Sequence, residues 1–157
     1  MITSSYRVRE ATLEDRAALV HHRIGMFADM GVAMDADAVA RRFDRWLGET
    51  MPGGTYRGWL VESADGLVVA GGGITILPWP PGPRYLVDRL AFVYNVYTEP
   101  AHRRRGLARL VMETIHGWCR ANGITSVALN ASTDGRSLYE SMGYAVTTSP
   151  MMFYGME

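Results

Sequence analysis

The run from Leu90 to Ala108 is the segment that most constrains this chain, because signals for a strand, a turn and a helix follow one another within it. Leu90 to Thr98 is apolar or aromatic at nearly every position, which predicts a strand covered on both faces of a sheet. Pro100 then opens a loop, and Gly106 begins a run with helical periodicity. A strand of this kind predicts a layered α/β domain with a central sheet.

The rest of the chain predicts the order strand, two helices, three strands, helix, strand, helix and strand. The predicted helices are Thr12–Gly31, a stretch from about Asp35 to Gly53, Gly106–Ala121 and Asp134–Met142. The predicted strands are Tyr6–Ala11, Tyr56–Glu62, Leu67–Leu77, Leu90–Thr98, Thr125–Asn130 and one or two strands within Tyr144–Tyr154, interrupted by Pro150. Pro78–Pro83 is interpreted as a rigid loop, since a boundary there would leave two undersized cores. We therefore expect residues 1–157 to form a single domain.

Composition excludes several function classes. The 16 basic and 16 acidic residues balance, so no overall charge favours nucleic acid or an anionic membrane. The basic residues are all arginine, and lysine is absent. The longest apolar stretch, Gly66–Pro78, is too short to span a bilayer, and Cys119 has no cysteine partner. We expect a cytoplasmic protein that engages neither nucleic acid nor membrane, while association into a homodimer stays open.

The helix start at Gly106 predicts an anion-binding turn. A helix begins with unpaired backbone N–H groups and a positive dipole end, which together attract phosphate. Small residues at Gly106 and Ala108 let a bulky anion approach the backbone, and the guanidinium groups of Arg103, Arg104 and Arg105 can add charge-assisted hydrogen bonds. The P-loop and Gly-x-Gly-x-x-Gly patterns are both absent from the sequence. Taken alone, the three arginines also fit a solvated basic run or a nucleic-acid contact.

A second segment, Leu129–Tyr144, predicts a strand, a short helix and a return towards a strand. Together the two segments resemble the Gcn5-related N-acetyltransferase (GNAT) superfamily. Its first signature, Arg/Gln-x-x-Gly-x-Gly/Ala, matches Arg103, Gly106 and Ala108. Its second, Leu-Tyr-x-x-x-Gly-Phe/Tyr, matches Leu138, Tyr139, Gly143 and Tyr144. The resemblance is specific over Val96–Tyr144 and rests on element order in the front half.

The resemblance implies a fold, a cosubstrate and an activity. The fold is a twisted, mixed and mostly antiparallel sheet of six to seven strands with about four helices, whose central strand pair splays apart. The cosubstrate is acetyl-CoA, and no metal is expected. The activity is N-acetyl transfer to a primary amine, expected on a small molecule by direct transfer in a ternary complex. The alternatives left open are a non-catalytic CoA-binding sensor or scaffold and acetylation of a protein or peptide amine.

The same resemblance implies roles for named residues. The pyrophosphate of acetyl-CoA would lie on the turn and helix start, formed by Arg103, Arg104, Arg105, Gly106, Leu107 and Ala108. The pantetheine arm would pair like an extra strand with Val96, Tyr97 and Thr98. Tyr139 would be the general acid that protonates the leaving thiolate, and Ser132 stands where the family often has Asn. Ser132 is therefore either a contact for the pantetheine or only a helix cap.

The sequence leaves the base and the acceptor undecided. Asp88 is a candidate base, as is one of His21 and His22, while Glu99 is disfavoured because it lies near the phosphate end. Cys119 is expected to be buried in a core helix and not to carry acetyl. The acceptor cleft is expected to be framed by the first two helices and the C-terminal segment. Its candidate residues are Phe27, Asp29, Met30, Met34, Asp35, Met151, Met152, Phe153 and Tyr154, with Trp79 at its border.

Overall fold

The computed structural model describes residues 5–83 and 85–156. Five strands are present among them: β1 (Arg7–Glu10), β2 (Tyr56–Glu62), β3 (Val68–Pro78), β4 (Arg89–Thr98) and β5 (Val127–Leu129). The α-helices are α1 (Arg16–Asp29), α2 (Ala36–Thr50), α3 (Leu107–Ala121) and α4 (Arg136–Ser141). Short 3-10 turns, Leu13–Asp15 and Pro100–His102, precede α1 and α3. The predicted order of elements is confirmed as far as α4.

The strands form one mixed sheet in the order β1-β2-β3-β4-β5. The first four strands are antiparallel neighbours, and β5 runs parallel to β4 after the crossover through α3. The predicted α/β fold with a mostly antiparallel sheet is therefore confirmed. The described residues contain five strands, one or two fewer than expected.

The predicted strands within Tyr144–Tyr154 are wrong. Residues 144–156 contain neither strand nor helix. Tyr144 is half-buried, but the large apolar side chains after it lie in solvent. The exposed side chains include Val146, Met151, Met152, Phe153 and Tyr154. The β-branched and aromatic composition of this segment predicts a strand only if a sheet edge and a packing face receive it, because strand propensity mostly measures such contacts. Pro150 also removes one backbone donor from the segment.

The sheet separates two apolar clusters because alternate side chains of a strand point to opposite faces. On one face, Tyr56 and Leu60 of β2 pack with Leu19 of α1 and Leu47 of α2. On the other, Trp59 and Val61 of β2 belong to a cluster built around α3, which also contains Val111, Met112, Ile115 and Cys119. Helices α1 and α2 therefore cover one face of the sheet, and α3 covers the other.

Two irregularities of β4 create an opening at the sheet's centre. Opposite β3, Gly71 pairs with Tyr97 and Gly73 pairs with Tyr94, so two β4 residues lie opposite Gly72, as in a β-bulge. Asn95, one of the two, has a φ of 65°. On the other side, pairing with β5 stops at Val93, and β4 continues to Thr98 without a described partner strand there. This is the splayed pair that the family resemblance implies.

Candidate functional site

The turn between β4 and α3 has the backbone geometry of an anion site. Arg104 has a φ of 61°, which is uncommon for a residue with a side chain, and Gly106 has a φ of 76°. A Cβ added at Gly106 would meet nothing within 4 Å, so the space over the helix start is open. The first helical hydrogen bond runs from Leu110 N–H to the Gly106 carbonyl at 3.0 Å. The amides of the turn before it have no acceptor inside the helix and point at that space.

The side chain of Arg103 already binds other residues of the protein. Arg103 donates through Nε to the Thr98 carbonyl at 2.8 Å and through Nη2 to Asp29 at 2.5 Å. Its guanidinium also lies over the Tyr97 ring, 5.5 Å from the centroid. Arg103 thus ties the end of β4 to α1, which stiffens the turn.

The other two arginines differ from each other. Arg105 Nη1 donates to the Tyr6 hydroxyl at 3.0 Å, beside a shallow cavity of about 260 Å³ that His102 also lines. Arg104 makes no hydrogen bond or ion pair with any residue in the described ranges, so its guanidinium is available to a ligand.

The residues of β4 and the turn fit acetyl-CoA on three observations. The β5-facing edge of β4 carries no strand partner beyond Val93, so it can receive an extended amide chain. That edge leads directly into the turn, where Gly106 leaves room for a diphosphate. The side chain of Tyr97 is buried against α1, so this residue offers the ligand its backbone alone.

Tyr139 lies on α4, after β5 on the far side of the opening. Its ring is half-buried and meets the Tyr144 ring edge-on, with centroids 5.8 Å apart. Burial raises the pKa of the Tyr139 hydroxyl, which keeps the proton on the oxygen at neutral pH. The hydroxyl forms no hydrogen bond with the described part of the chain. Ser132 Oγ accepts from Gly135 N–H at 3.1 Å, so this side chain closes the turn that leads into α4.

Comparison with known proteins decides the family. Residues 54–146, more than half of the chain, match a family model described as an acetyltransferase (GNAT) domain. The chain belongs to the GNAT acetyltransferase family.

Solved structures agree with this assignment. The chain is 31% identical to a GCN5-related N-acetyltransferase from Ralstonia eutropha, over 95% of this chain and 98% of that one, with a TM-score of 0.85. It is 23% identical to a predicted acetyltransferase from Clostridium acetobutylicum solved with acetyl-CoA, over 95% and 96%, with a TM-score of 0.87. It shares 19% identity with glucosamine-6-phosphate N-acetyltransferase from Arabidopsis thaliana, over 95% and 97%, with a TM-score of 0.71. The comparison with curated proteins gave no match.

The candidate bases of this GNAT domain lie in different environments. Asp88 is exposed just before the far end of β4, away from the turn. His21 is exposed and its Nε2 lies 2.5 Å from Glu99 Oε1, so α1 and the end of β4 are joined there. His22 is buried, and desolvation lowers its pKa to about 4. His22 is therefore neutral at pH 7, with a ring nitrogen, Nδ1, that has no described partner.

The remaining predictions about the site have mixed outcomes. Cys119 is buried as predicted, and burial raises the pKa of its thiol. No group of three potential metal ligands occurs within residues 5–83 and 85–156. No helix in those ranges is long and apolar enough to cross a membrane.

The bulge at Asn95 was not predicted, since neither its composition nor its spacing distinguishes it from ordinary strand.

The acceptor residues predicted from sequence are only partly brought together. Asp29 pairs with Arg103, and Asp35 accepts from Ala38 N–H at the start of α2, so both carboxylates are already used. The side chains of residues 151–154 are more than three-quarters exposed and line no cleft. The C-terminal segment therefore frames no cleft, because it does not pack, whereas a role of the two acidic residues towards the acceptor stays a prediction.

Proposed function

We propose that residues 1–157 form one GNAT domain that transfers the acetyl group of acetyl-CoA to the primary amine of a small molecule, by direct transfer in a ternary complex. That the protein is an acetyltransferase follows from its family; the nature of the acceptor is the proposal. We place this activity in the cytoplasm. The observation that supports the proposed activity most is the open edge of β4, which runs into the turn at one end.

Acetyl-CoA supplies an activated acyl thioester, and the chain supplies binding and protons. In this proposal, Arg104 and the backbone amides of Gly106, Leu107 and Ala108 hold the diphosphate. The backbone of Val96, Tyr97 and Thr98 orients the pantetheine arm. Arg103 and Arg105 hold the turn in shape through Thr98, Asp29 and Tyr6.

Tyr139 is proposed as the general acid. An ordinary thiol has a pKa of about 8.5 and a phenol a pKa of about 10, so proton transfer from a phenol to a leaving thiolate is uphill by only about 2 kcal/mol and is accessible during the reaction. The raised pKa of Tyr139 keeps it protonated before the reaction. Ser132 closes the turn before α4 and thereby helps to position Tyr139, which lies on that helix.

The proposal is tested by the release of free thiol from acetyl-CoA in the presence of candidate amines. The background is low because the protein's one thiol, Cys119, is buried, and because a chain without lysine offers no side-chain amine as an acceptor. We expect thiol release that depends on an added amine, with one acetylated amine formed per thiol. Tight binding of acetyl-CoA with no release across amino acids, amines, aminoglycosides and peptides would instead support the binding-only alternative.

A further inference from the structure

Arg23 of α1 is a positive charge that the fold leaves without a counter-charge. Its guanidinium lies over the Phe27 ring at 5.0 Å and over the Phe43 ring at 4.9 Å from the centroids. The side chain is half-buried, and desolvation lowers its pKa. It forms no hydrogen bond or ion pair with the residues that the structure describes.

Other arginines with similar exposure are compensated. The Arg9 side chain, 33% exposed, is held by both Asp15 and Glu62. The Arg57 side chain, 36% exposed, donates to Glu10 at 2.7 Å. Removing a guanidinium from water without such a partner costs free energy, so the position of Arg23 calls for a negative group supplied from outside the chain.

The surroundings of Arg23 lie beside the opening in the sheet. The Tyr56 and Tyr94 side chains lie near enough to Arg23 to influence its pKa. Tyr94 is the first β4 residue beyond the last β5 pair and precedes the bulge at Asn95. The Phe92 ring stacks on Tyr94 with centroids 4.8 Å apart. The cation therefore projects towards the section of β4 at which the opening begins.

Two buried hydroxyls on the same face also have no hydrogen-bond partner. Tyr56 is 1% exposed and Thr75 is 7% exposed, and neither Tyr56 OH nor Thr75 Oγ1 is bonded to any described atom. Tyr56 and Thr75 are directly paired across β2 and β3, and the Tyr56 hydroxyl lies against Gly73, which pairs with Tyr94. Buried hydroxyls are normally satisfied, so these two are unsatisfied donors beneath the surface, and Tyr56 meets the Phe43 ring that Arg23 lies over.

We propose that these groups bind the carboxylate of the acceptor, so that the substrate is a small amine that also bears a carboxylate. This inference rests on the proposed function. We call this group of residues the Arg23 box: Arg23, Phe27, Phe43, Tyr56, Thr75 and Tyr94. A carboxylate matches the planar donor fork of Arg23 and accepts from hydroxyls, and the rings accommodate an apolar body. The positive charge of the box disfavours polyamines and other acceptors with several cationic groups.

The first test compares matched acceptors that differ only by the carboxylate, such as phenylalanine with phenethylamine and leucine with isoamylamine. We expect the amino acid of each pair to be acetylated with the higher kcat/KM. Equal or better acetylation of the decarboxylated amines would overturn this inference and leave the proposed function standing. A phosphonate analogue of the amino acid separates a general oxyanion site from a carboxylate site; preference for the phosphonate would contradict the proposal.

Variants locate the preference within the box. Because hydrogen bonds to charged groups contribute about 1.5–3 kcal/mol, Arg23→Gln should raise the KM of the amino acid by about tenfold or more. The KM of acetyl-CoA should not change, and the preference over the decarboxylated amine should disappear. Arg42→Gln, on the exposed surface of α2, is the matched control and should keep the preference. An amino-acid preference that survives in Arg23→Gln would assign the carboxylate to another site.

Two further measurements test the inference even if no turnover is observed. The second of them does not depend on Arg23→Gln. Titration calorimetry of N-acetylphenylalanine in the presence of CoA should show binding to the wild type and at least tenfold weaker binding to Arg23→Gln. Tyr56→Phe should likewise weaken binding while leaving the melting temperature unchanged or higher, because the hydroxyl removed has no partner in the free protein. Equal binding of the product by wild type and both variants would overturn the proposal, whether or not acetyl transfer is observed.

Discussion

The arginine-glycine turn and the Arg23 box both present positive charge to the opening in the sheet, but they are assembled differently. The turn uses contiguous residues and backbone amides, and its most accessible guanidinium, that of Arg104, is exposed to water. The box is gathered from α1, α2 and strands β2 to β4, and its guanidinium is partly desolvated between rings. In our proposals, the cosubstrate site is therefore a local motif, whereas the acceptor site depends on the whole fold.

The largest expected effect concerns the chemistry that both regions serve. Tyr139→Phe removes the proposed acid, and kcat should fall by about 10²–10⁴-fold, the usual contribution of a positioned acid. The KM of acetyl-CoA should stay the same, since the turn is not altered. Tyr144→Phe is the matched control, because its ring contacts that of Tyr139 but its hydroxyl is bonded to His116 at 2.6 Å. Steady-state kinetics of both variants decides; a kcat of wild-type size in Tyr139→Phe would remove the residue from the mechanism.

The next prediction is that acid destabilises the folded protein through His22 of α1. Burial lowers the pKa of His22 to about 4, from about 6.5 for an ordinary histidine. Between about pH 6.5 and pH 4, the unfolded chain therefore binds a proton at His22 that the folded chain does not bind. The free energy of unfolding decreases as the pH falls through this range. A difference of about 2.5 pKa units corresponds to about 3 kcal/mol.

Urea unfolding at pH 7 and at pH 4.5 measures this loss. The contributions of carboxylates overlap with it, so the informative quantity is the difference between wild type and His22→Phe. We expect the variant to lose less stability on acidification than the wild type. Identical pH dependence in the two proteins would show that His22 is not the group responsible.

A smaller effect tests how α1 packs against β4. A Cβ at Gly25 would lie 2.7–2.9 Å from atoms of the Tyr97 ring, so Gly25→Ala should destabilise the fold by about 1–3 kcal/mol through overpacking. Gly117, inside α3, has nothing within 4 Å of an added Cβ. Gly117→Ala should therefore stabilise the protein by about 0.5–1 kcal/mol through helix propensity. Denaturant unfolding of both variants checks the opposite signs.

A last pair of variants separates ligand binding at the turn from backbone strain. Gly106 and Gly123 flank the same helix with φ values of 76° and 72°. A side chain at either position incurs about 1–2 kcal/mol of left-handed strain, so Gly106→Val and Gly123→Val should lose similar stability. Only Gly106→Val places atoms over the turn, and it alone should weaken acetyl-CoA binding, by about tenfold or more for a loss of about 1.4 kcal/mol. Similar affinities in the two variants, measured by calorimetry, would argue against diphosphate binding at this turn.

The sequence predicted what neighbouring residues decide by themselves. The periodicity of α1 to α3, the strand before Pro100 and the glycine at the start of α3 are local signals, and all were found as expected. The Arg23 box was not predicted, because Phe43 and Tyr94 are distant from Arg23 in sequence and meet it only through the topology. Arg103 was expected to face a ligand but braces Thr98 and Asp29. The strands expected after Tyr144 failed for the same reason, since their formation requires a partner edge that local sequence does not specify.

The brevity of β5 has a consequence for the motions of the molecule. Three residue pairs join β5 to β4, whereas β4 is paired with β3 along most of its length. Local unfolding is least costly where few backbone hydrogen bonds and few buried contacts must be broken. The β5 edge should therefore open on its own, and its amide protons should exchange with deuterium well before those of the antiparallel strands. Occupancy of the opening by cosubstrate would slow that exchange, so a fluctuation at the edge of the sheet reports directly on what lies in its centre.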